Sequence, residues 1–375
     1  MFNYLNTCWN ILKSGDEIMS FRSRRIIITT PFYMIFEFFL LKYMFLLIGG
    51  LEDIYLIILA IIIGLLHFIP MFFESKKSTA VCRGLETVHG VWMWASLMFF
   101  IDVLVIYFLK NFIAVPKVII LILLAIVPVL GVYNYYKAHK LVVNEETLVL
   151  DNLTNEINIA HLSDVHFGSV RHGKIIKQIS DKLKELEGTC QIAIISGDLA
   201  DGSCVVQAND FDALKDVKMP IIFTPGNHDF YPGIENVIRA CRNAGIIVLD
   251  NDKYEFENLM VYGLTFSFDD IPMLTADEIK SNINPNSINI INYHVPYMWD
   301  KFSSLGFDIQ LSGHTHGGQF YPVVNIANII FKFNKGLFEN DLGKYLHVTT
   351  GVGSMDTPMR WGTDSEIVIL KLRKK

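Results

Sequence analysis

Five short polar breaks, each closing an apolar run in the later part of the chain, bring together the kinds of side chain that bind divalent metals. They read Asp164-Val165-His166, Gly197-Asp198-Leu199-Ala200-Asp201, Gly226-Asn227-His228-Asp229, Tyr293-His294 and Gly313-His314-Thr315-His316. Carboxylate and amide oxygen combined with imidazole nitrogen suit Mn, Fe or Zn better than Mg, which favours an all-oxygen shell. Such a set offers hydrolysis, because paired cations acidify a water and draw charge from an ester oxygen. One Asp-X-His alone is weak, since a lone Asp usually makes a turn and a lone His a local hydrogen bond. Five such breaks in order are far more specific.

The elements that must position these groups are short. Residues 157–162, 191–195, 221–224, 288–293 and 308–311 are β-branched runs bounded by Gly, Pro, Asn or Asp, which predicts strands. Residues 173–186 place Ile175, Ile176, Ile179 and Leu183 at helical spacing with Lys and Glu opposite, an amphipathic helix that covers a sheet. A second helix is predicted over 232–243 and a short third over 276–281, with further strands at 259–266, 345–350 and 366–372. Alternating strands and helices make an α/β domain, in which ligands gather at the carboxyl ends of strands. Every polar break above falls at such an end.

The ordered set resembles the calcineurin-like metallophosphoesterase superfamily over roughly residues 155–372. The run Gly313-His314-Thr315-His316-Gly317-Gly318-Gln319, with the later Gly351-Val352-Gly353 and Pro358-Met359-Arg360, is similar to its membrane-associated bacterial branch. Ser365-Glu366-Ile367 departs from the Pro-Glu-Ile common there and leaves the ligand positions untouched. The resemblance implies a four-layer αββα sandwich of mixed sheets over residues 157–375 and two divalent metal ions. It further implies that Asp164, His166, Asp198 and His316 hold the first ion and Asp198, Asn227, His294 and His314 the second, with Asp198 bridging. His228 takes the place of the general acid or transition-state stabiliser. Asp229 beside it is expected to orient the imidazole by accepting its other N–H. Asp201 is read as a brace for the loop or a ligand. Arg360 is expected to clamp a substrate phosphate, the alternative being a salt bridge to a carboxylate. His161 reads as a packed or hydrogen-bonded strand residue and His172 as solvent-facing, while His67, His89, His139 and His347 show no clustered partners in the sequence.

The remainder of the chain is of another kind. An apolar content of 51% is high for a soluble protein, and most of the excess lies before residue 137. Residues 54–73, 91–109 and 118–136 approach the ~20 apolar residues that cross a bilayer. A fourth span is predicted at 26–48 despite Glu37 and Lys42, which are costly in a membrane unless paired or facing other helices. Those charges and Asp102 suit an interhelical pair; a transport path is the sharper and less supported reading. Residues 1–136 are thus predicted to form an uncleaved helical anchor, 137–156 a linker with a first strand pair, and 157–375 the catalytic domain. Lys13, Arg22, Arg24 and Arg25 precede the first span, and Lys76, Lys77 and Arg83 follow the second, whereas Glu52 and Asp53 fill the turn between them. This pattern places both basic segments, and with four spans the catalytic domain, in the cytoplasm of a multi-pass cell-membrane protein. Three spans would reverse the domain.

Composition also excludes. Five cysteines without a Cys-X-X-Cys pair exclude a disulfide framework or zinc knuckle, and a net charge of −6 without a long basic run argues against a nucleic-acid duplex as partner. Residues 322–333 are mostly apolar, with Ile326, Ile329, Ile330 and Phe333 at helical spacing, which fits either core or a flap that dips into the bilayer. The sequence therefore points to a membrane-anchored phosphoesterase acting on a phosphodiester or pyrophosphate bond, with a membrane lipid as partner and a lipid-linked phosphoester as substrate. The alternatives are a phosphodiesterase for a soluble nucleotide-type substrate, and a non-catalytic membrane receptor or scaffold.

Overall fold

The structure, a computed structural model, describes residues 21–74, 76–268 and 275–375. Lys13, part of the basic flank on which the orientation rests, and Cys8 lie outside the described residues. Four long apolar helices come first: α1 (Phe21–Ile48), α2 (Asp53–Glu74), α3 (Ala80–Leu109) and α4 (Lys117–His139). All four are long and apolar enough to cross a membrane. Their outer faces stay apolar and exposed, while Leu40, Leu47, Val103, Ile106 and Ile120 pack inward. Glu37 is buried and accepts from Trp92 Nε1 on α3 at 3.2 Å, whereas Lys42 pairs at 2.9 Å with Asp53, the first residue of α2. Glu37 therefore joins two helices, and Lys42 is not its partner.

Helix α3 begins at Ala80, well before the predicted span at 91. Its extra turns carry Arg83, Glu86, Thr87 and His89, and they form helix because Thr79 caps them by accepting from Cys82 N at 3.2 Å. Nor is there a linker after α4. The helix ends at His139 and strand β1 (Leu141–Leu150) starts two residues later as one continuous strand, not the strand pair expected around residues 144–146. Pairing explains the difference, since β1 runs in parallel register with β12 (Ser365–Lys374) along its whole length.

The remaining elements are β2 (Ile157–Leu162), α5 (His172–Leu186), β3 (Ile192–Ser196), β4 (Ile221–Thr224), α6 (Ile234–Asn243), β5 (Ile247–Val248), β6 (Asp252–Phe256) and β7 (Leu259–Gly263). They continue with α7 (Ala276–Lys280), β8 (Ile288–Asn292), α8 (Trp299–Leu305), β9 (Ile309–Ser312), α9 (Val323–Ile330), β10 (Gly336–Glu339) and β11 (Tyr345–Val348). Two six-stranded mixed sheets result, ordered β1-β12-β2-β3-β4-β5 and β10-β11-β9-β8-β7-β6. Strand alternation builds the layers. Ile192 and Ile194 on β3 meet Val261, Ile290 and Leu311 of the second sheet, while Ala193 and Ile195 turn to α5 and α6. On the far side α7 and α8 cover Tyr262 and Ile291. The result is an αββα sandwich, in which each fully buried Ile or Leu contributes about 1.5–3 kcal/mol.

This sandwich is docked on the helices. Arg171 donates to the Ala138 carbonyl at 2.7 Å, Gln178 to that of His139 at 3.0 Å, and the Arg360 N–H to that of Asn134 at 3.1 Å. Lys137 pairs with Asp364. A side chain at Gly90 of α3 would meet the Asp356 carbonyl at 2.8 Å, so backbone lies against backbone there.

Candidate metal centre

Strands β2, β3 and β4 of one sheet and β8 and β9 of the other end side by side, and the polar breaks follow those ends. The turns are tight. Asp164, His166, Asp198, His314 and His316 all have positive φ, between 49° and 72°, a conformation that costs a side-chain-bearing residue on the order of 1 kcal/mol. Such strain persists only where the surroundings hold it in place. Gly197, at φ +82°, could carry no side chain: a Cβ there would meet His294 Nδ1 at 2.6 Å and Gly226 Cα at 2.8 Å.

Three groups of potential ligands form, each with donor atoms within 4.8 Å of one another: Asp164, His166 and His316; His166, Asp198 and His228; and Asp198, His294 and His314. Asn227 lies beside the third, its Oδ1 3.1 Å from His314 Nδ1. His166 Nε2 and His316 Nε2 are 3.0 Å apart, and Asp164 Oδ1 is 3.3 Å from His316 Nε2. Asp198 and His166 each belong to two groups, so the groups form one continuous cluster.

The hydrogen bonds around this cluster leave the metal-binding lone pairs free. The Asp164 carboxylate accepts Ser163 Oγ–H at 2.7 Å and His314 N–H at 2.9 Å on Oδ2, and its Oδ1 is buried without a hydrogen-bond partner. His294 Nδ1 lies 2.6 Å from the Ser196 carbonyl, to which it donates, and its Nε2 then faces Asp198 Oδ2 at 3.1 Å. Two acceptors facing each other call for a positive charge between them. Burial alone would lower the His294 pKa, but Asp198 and Asp164 reverse that and push it up to about 10. The same field attracts a cation. Although burial opposes their charge, Asp164 and Asp198 are held below the ordinary carboxylate range, Asp164 first by His316 and Asp198 first by His294. Burial pulls His314 down to about 4 and His316 to about 3, so both are neutral and able to bind metal at pH 7. Among the described residues the donor set fits two divalent cations.

Two expected roles need correction. Asp229 does not orient His228. Its Oδ2 accepts the N–H groups of Asp198 at 2.9 Å and Gly226 at 2.8 Å, and its Oδ1 that of Ala200 at 2.8 Å. A carboxylate fed by three backbone donors pins two of the turns together, and neither of its oxygens is the partner of the His228 ring. The oxygen near His228 Nδ1 is instead the Asp201 carbonyl, at 3.3 Å, while the Asp201 side chain accepts from Ser203 at 2.6 Å. Arg360 does not reach a substrate either. It is fully buried, and its guanidinium donates to the carbonyls of Thr350, Gly351, Gly353 and Asp364 and to Thr363 Oγ1 at 2.6–3.3 Å. Backbone carbonyls and one hydroxyl, not a phosphate or a carboxylate, take up its donors.

The sequence reading passed over a polar layer under the site. Ser196, Thr224, Asn292 and Ser312 are the last residues of β3, β4, β8 and β9. Asn292 donates to Thr224 Oγ1 at 2.9 Å and accepts Ser196 Oγ–H at 2.6 Å, and Ser196 Oγ also meets His161 Nε2 at 2.7 Å. His161 Nδ1 in turn meets His347 Nδ1 at 2.7 Å, so His347 has a partner after all. A small polar residue ending each of these apolar strands was the available signal.

Residues 157–318 match the family model described as calcineurin-like phosphoesterase. An uncharacterized metallophosphoesterase of Helicobacter pylori is 26% identical over 62% of this chain, and the chain spans 64% of that relative's length. One from Aquifex aeolicus is 28% identical over 66% of this chain and 97% of its own. A zebrafish (Danio rerio) transmembrane protein with metallophosphoesterase domain is 26% identical over 68% of this chain and 62% of its own. Residues 157–318, set in the two mixed sheets, thus match a calcineurin-like phosphoesterase domain, and four helices long and apolar enough to cross a membrane precede them.

Proposed function

We propose that the protein is a membrane-anchored hydrolase that uses two divalent cations, Mn, Fe or Zn, to cleave a phosphodiester or pyrophosphate bond of a lipid-linked substrate. The observation that carries this reading is the continuous cluster of acids and imidazoles at the adjoining strand ends, joined through Asp198 and His166. Asp164, His166, Asp198 and His316 would hold one cation, and Asp198, Asn227, His294 and His314 the other. When bound, the cations lower the pKa of the attacking water and offset charge on the phosphoryl oxygens.

The chain's own residues supply the rest. The Asp201 carbonyl beside Nδ1 leaves His228 Nε2 as the nitrogen able to exchange a proton. Burial lowers the His228 pKa, and an anionic phosphate alongside would oppose that shift and favour the imidazolium. His228 would then donate to the leaving oxygen from Nε2 or stabilise the charge building there. Asp229 keeps the turns bearing Asp198 and Asn227 in register.

The lipid preference is supported by the docking of the sandwich on α3 and α4, which brings the site to the end of the helical bundle. Because α1 starts and α4 ends on the same side of four alternating helices, the turn holding Lys76 and Lys77 shares that side, which supports a cytoplasmic catalytic domain. A panel of lipid pyrophosphates, lipid diesters and nucleotide diesters, with manganese added to detergent-purified protein, tests the reading. Cleavage of the lipid substrates is expected, whereas hydrolysis confined to nucleotides would refute the lipid assignment.

A further inference from the structure

Helix α9 carries an apolar face that the sandwich does not use. Val324 and Ala327 are buried, but Ile326, Ile329 and Ile330 are 51%, 85% and 65% exposed. Phe333, which shares their helical spacing in the sequence, is not part of this face. The helix stops at Ile330, and the Phe333 ring packs edge-on to Trp299 and Phe338. Three isoleucines on little more than one turn, facing outward, are costly in water.

The two ends of α9 say what covers that face. Just before the helix, Phe320 packs into the cluster of Trp94 and Met98 of α3, Val127 of α4 and Met359. These positions lie within the apolar stretches of helices long enough to cross a membrane. At the other end, the Phe331 ring stands edge-on to His314 with centroids 6.1 Å apart. Between the ends α9 is held against the His316–Gly318 turn, because a side chain at Gly318 would meet Val324 Cα at 2.5 Å. Asn334 binds Asn328 at 2.7 Å and also receives the Thr315 hydroxyl, tying the helix to the ligand loop. Lys332 and Lys335 follow, both exposed, Lys332 only 3.5 Å from Asp300 and Lys335 donating to the Gly362 carbonyl at 3.0 Å.

We propose that α9 is seated in the bilayer, with Ile326, Ile329 and Ile330 among the acyl chains, so that a lipid-borne phosphoester passes along this helix to the metal centre. The partner is the apolar layer of the membrane, which the bundle already occupies at Trp94 and Val127. The route for the substrate rests on the hydrolase reading above; the seat of the helix does not.

The seat is tested on full-length protein in phosphatidylcholine–phosphatidylglycerol vesicles, with Cys8 and Cys82 replaced by Ser and one nitroxide at Ile329→Cys or, for comparison, at the exposed Leu342→Cys. Collisions with oxygen should exceed those with a water-soluble nickel chelate at 329 and fall below them at 342. Equal access of the chelate to both sites overturns the proposal. A variant with Ile326, Ile329 and Ile330 all changed to Ser tests the route. Its ratio of turnover on a vesicle-borne lipid diester to turnover on soluble bis(4-nitrophenyl) phosphate should drop about tenfold. An unchanged ratio overturns the route. If the label at 329 sits in the bilayer but wild-type protein cleaves neither ester, the hydrolase reading fails and the seat of α9 stands.

Discussion

His294 Nε2 faces Asp198 Oδ2 at 3.1 Å while the Ser196 carbonyl takes up the proton of Nδ1. With its tautomer set in this way, His294 offers a lone pair to a carboxylate, and only a proton or a cation relieves the encounter. Chelation should therefore destabilise the sandwich. Adding EDTA is expected to lower the melting temperature and manganese to restore it, by about 2.7 kcal/mol at a hundredfold excess over the dissociation constant. A melting curve indifferent to both would mean that the pair is a plain ion pair.

His228 belongs to one of the ligand groups yet is half-buried and held by the Asp201 carbonyl. If it moves a proton and does not bind metal, His228→Gln should keep the wild-type metal content and lose about a hundredfold or more in kcat. Loss of one metal equivalent in elemental analysis would make it a ligand instead.

Asp229 predicts a different outcome. Because its carboxylate accepts three backbone N–H groups, Asp229→Asn turns an amide donor toward at least one of them and should cost about 1–3 kcal/mol of stability. Metal affinity should fall about 10–100-fold as the Asp198 turn loosens. Were Asp229 the orienter of His228, the variant would behave like His228→Gln, stable and fully metallated. Titration calorimetry with manganese separates the two.

The pairing of His161 on β2 with His347 on β11 joins the two sheets and carries a pH dependence. Burial pulls His347 down to about 4 and His161 well below its usual value, whereas in the unfolded chain both titrate near 6.5. Between those values the unfolded chain binds more protons, so stability is complete above about pH 6.5 and falls as the pH drops toward 4. Replacing His347 with Gln should flatten the decline in melting temperature between pH 7 and pH 5. An unchanged slope would show that the pair does not titrate in that range.

Much of this was legible in the chain. Ile175, Ile176, Ile179 and Leu183 announced α5 through their spacing, and runs such as 191–195 announced strands, because one-sided burial writes its period into the sequence. The grouping of His166 with His316 was not visible in spacing; it came from the resemblance, since contacts across 150 residues depend on topology. Arg360 was misjudged because an arginine that binds phosphate and one that binds carbonyls look alike until its burial is known. Asp229 was misjudged because neighbours in sequence point apart where the backbone turns into a short helix at His228. The continuity of β1 itself was hidden by Asn144 to Glu146, polar residues between two short apolar runs that prove to be positions in a strand paired with β12.

The central claim is that Asp198 is shared by two cations that do the work of hydrolysis, and metal counting coupled to turnover tests it most directly. Wild-type protein purified in detergent and reconstituted with manganese should carry about two metal equivalents and cleave a phosphoester, and Asp198→Asn should lose both metal and activity. Wild-type protein that holds one ion or none while hydrolysing the ester, or an Asp198→Asn variant that keeps both metals and full turnover, would contradict it.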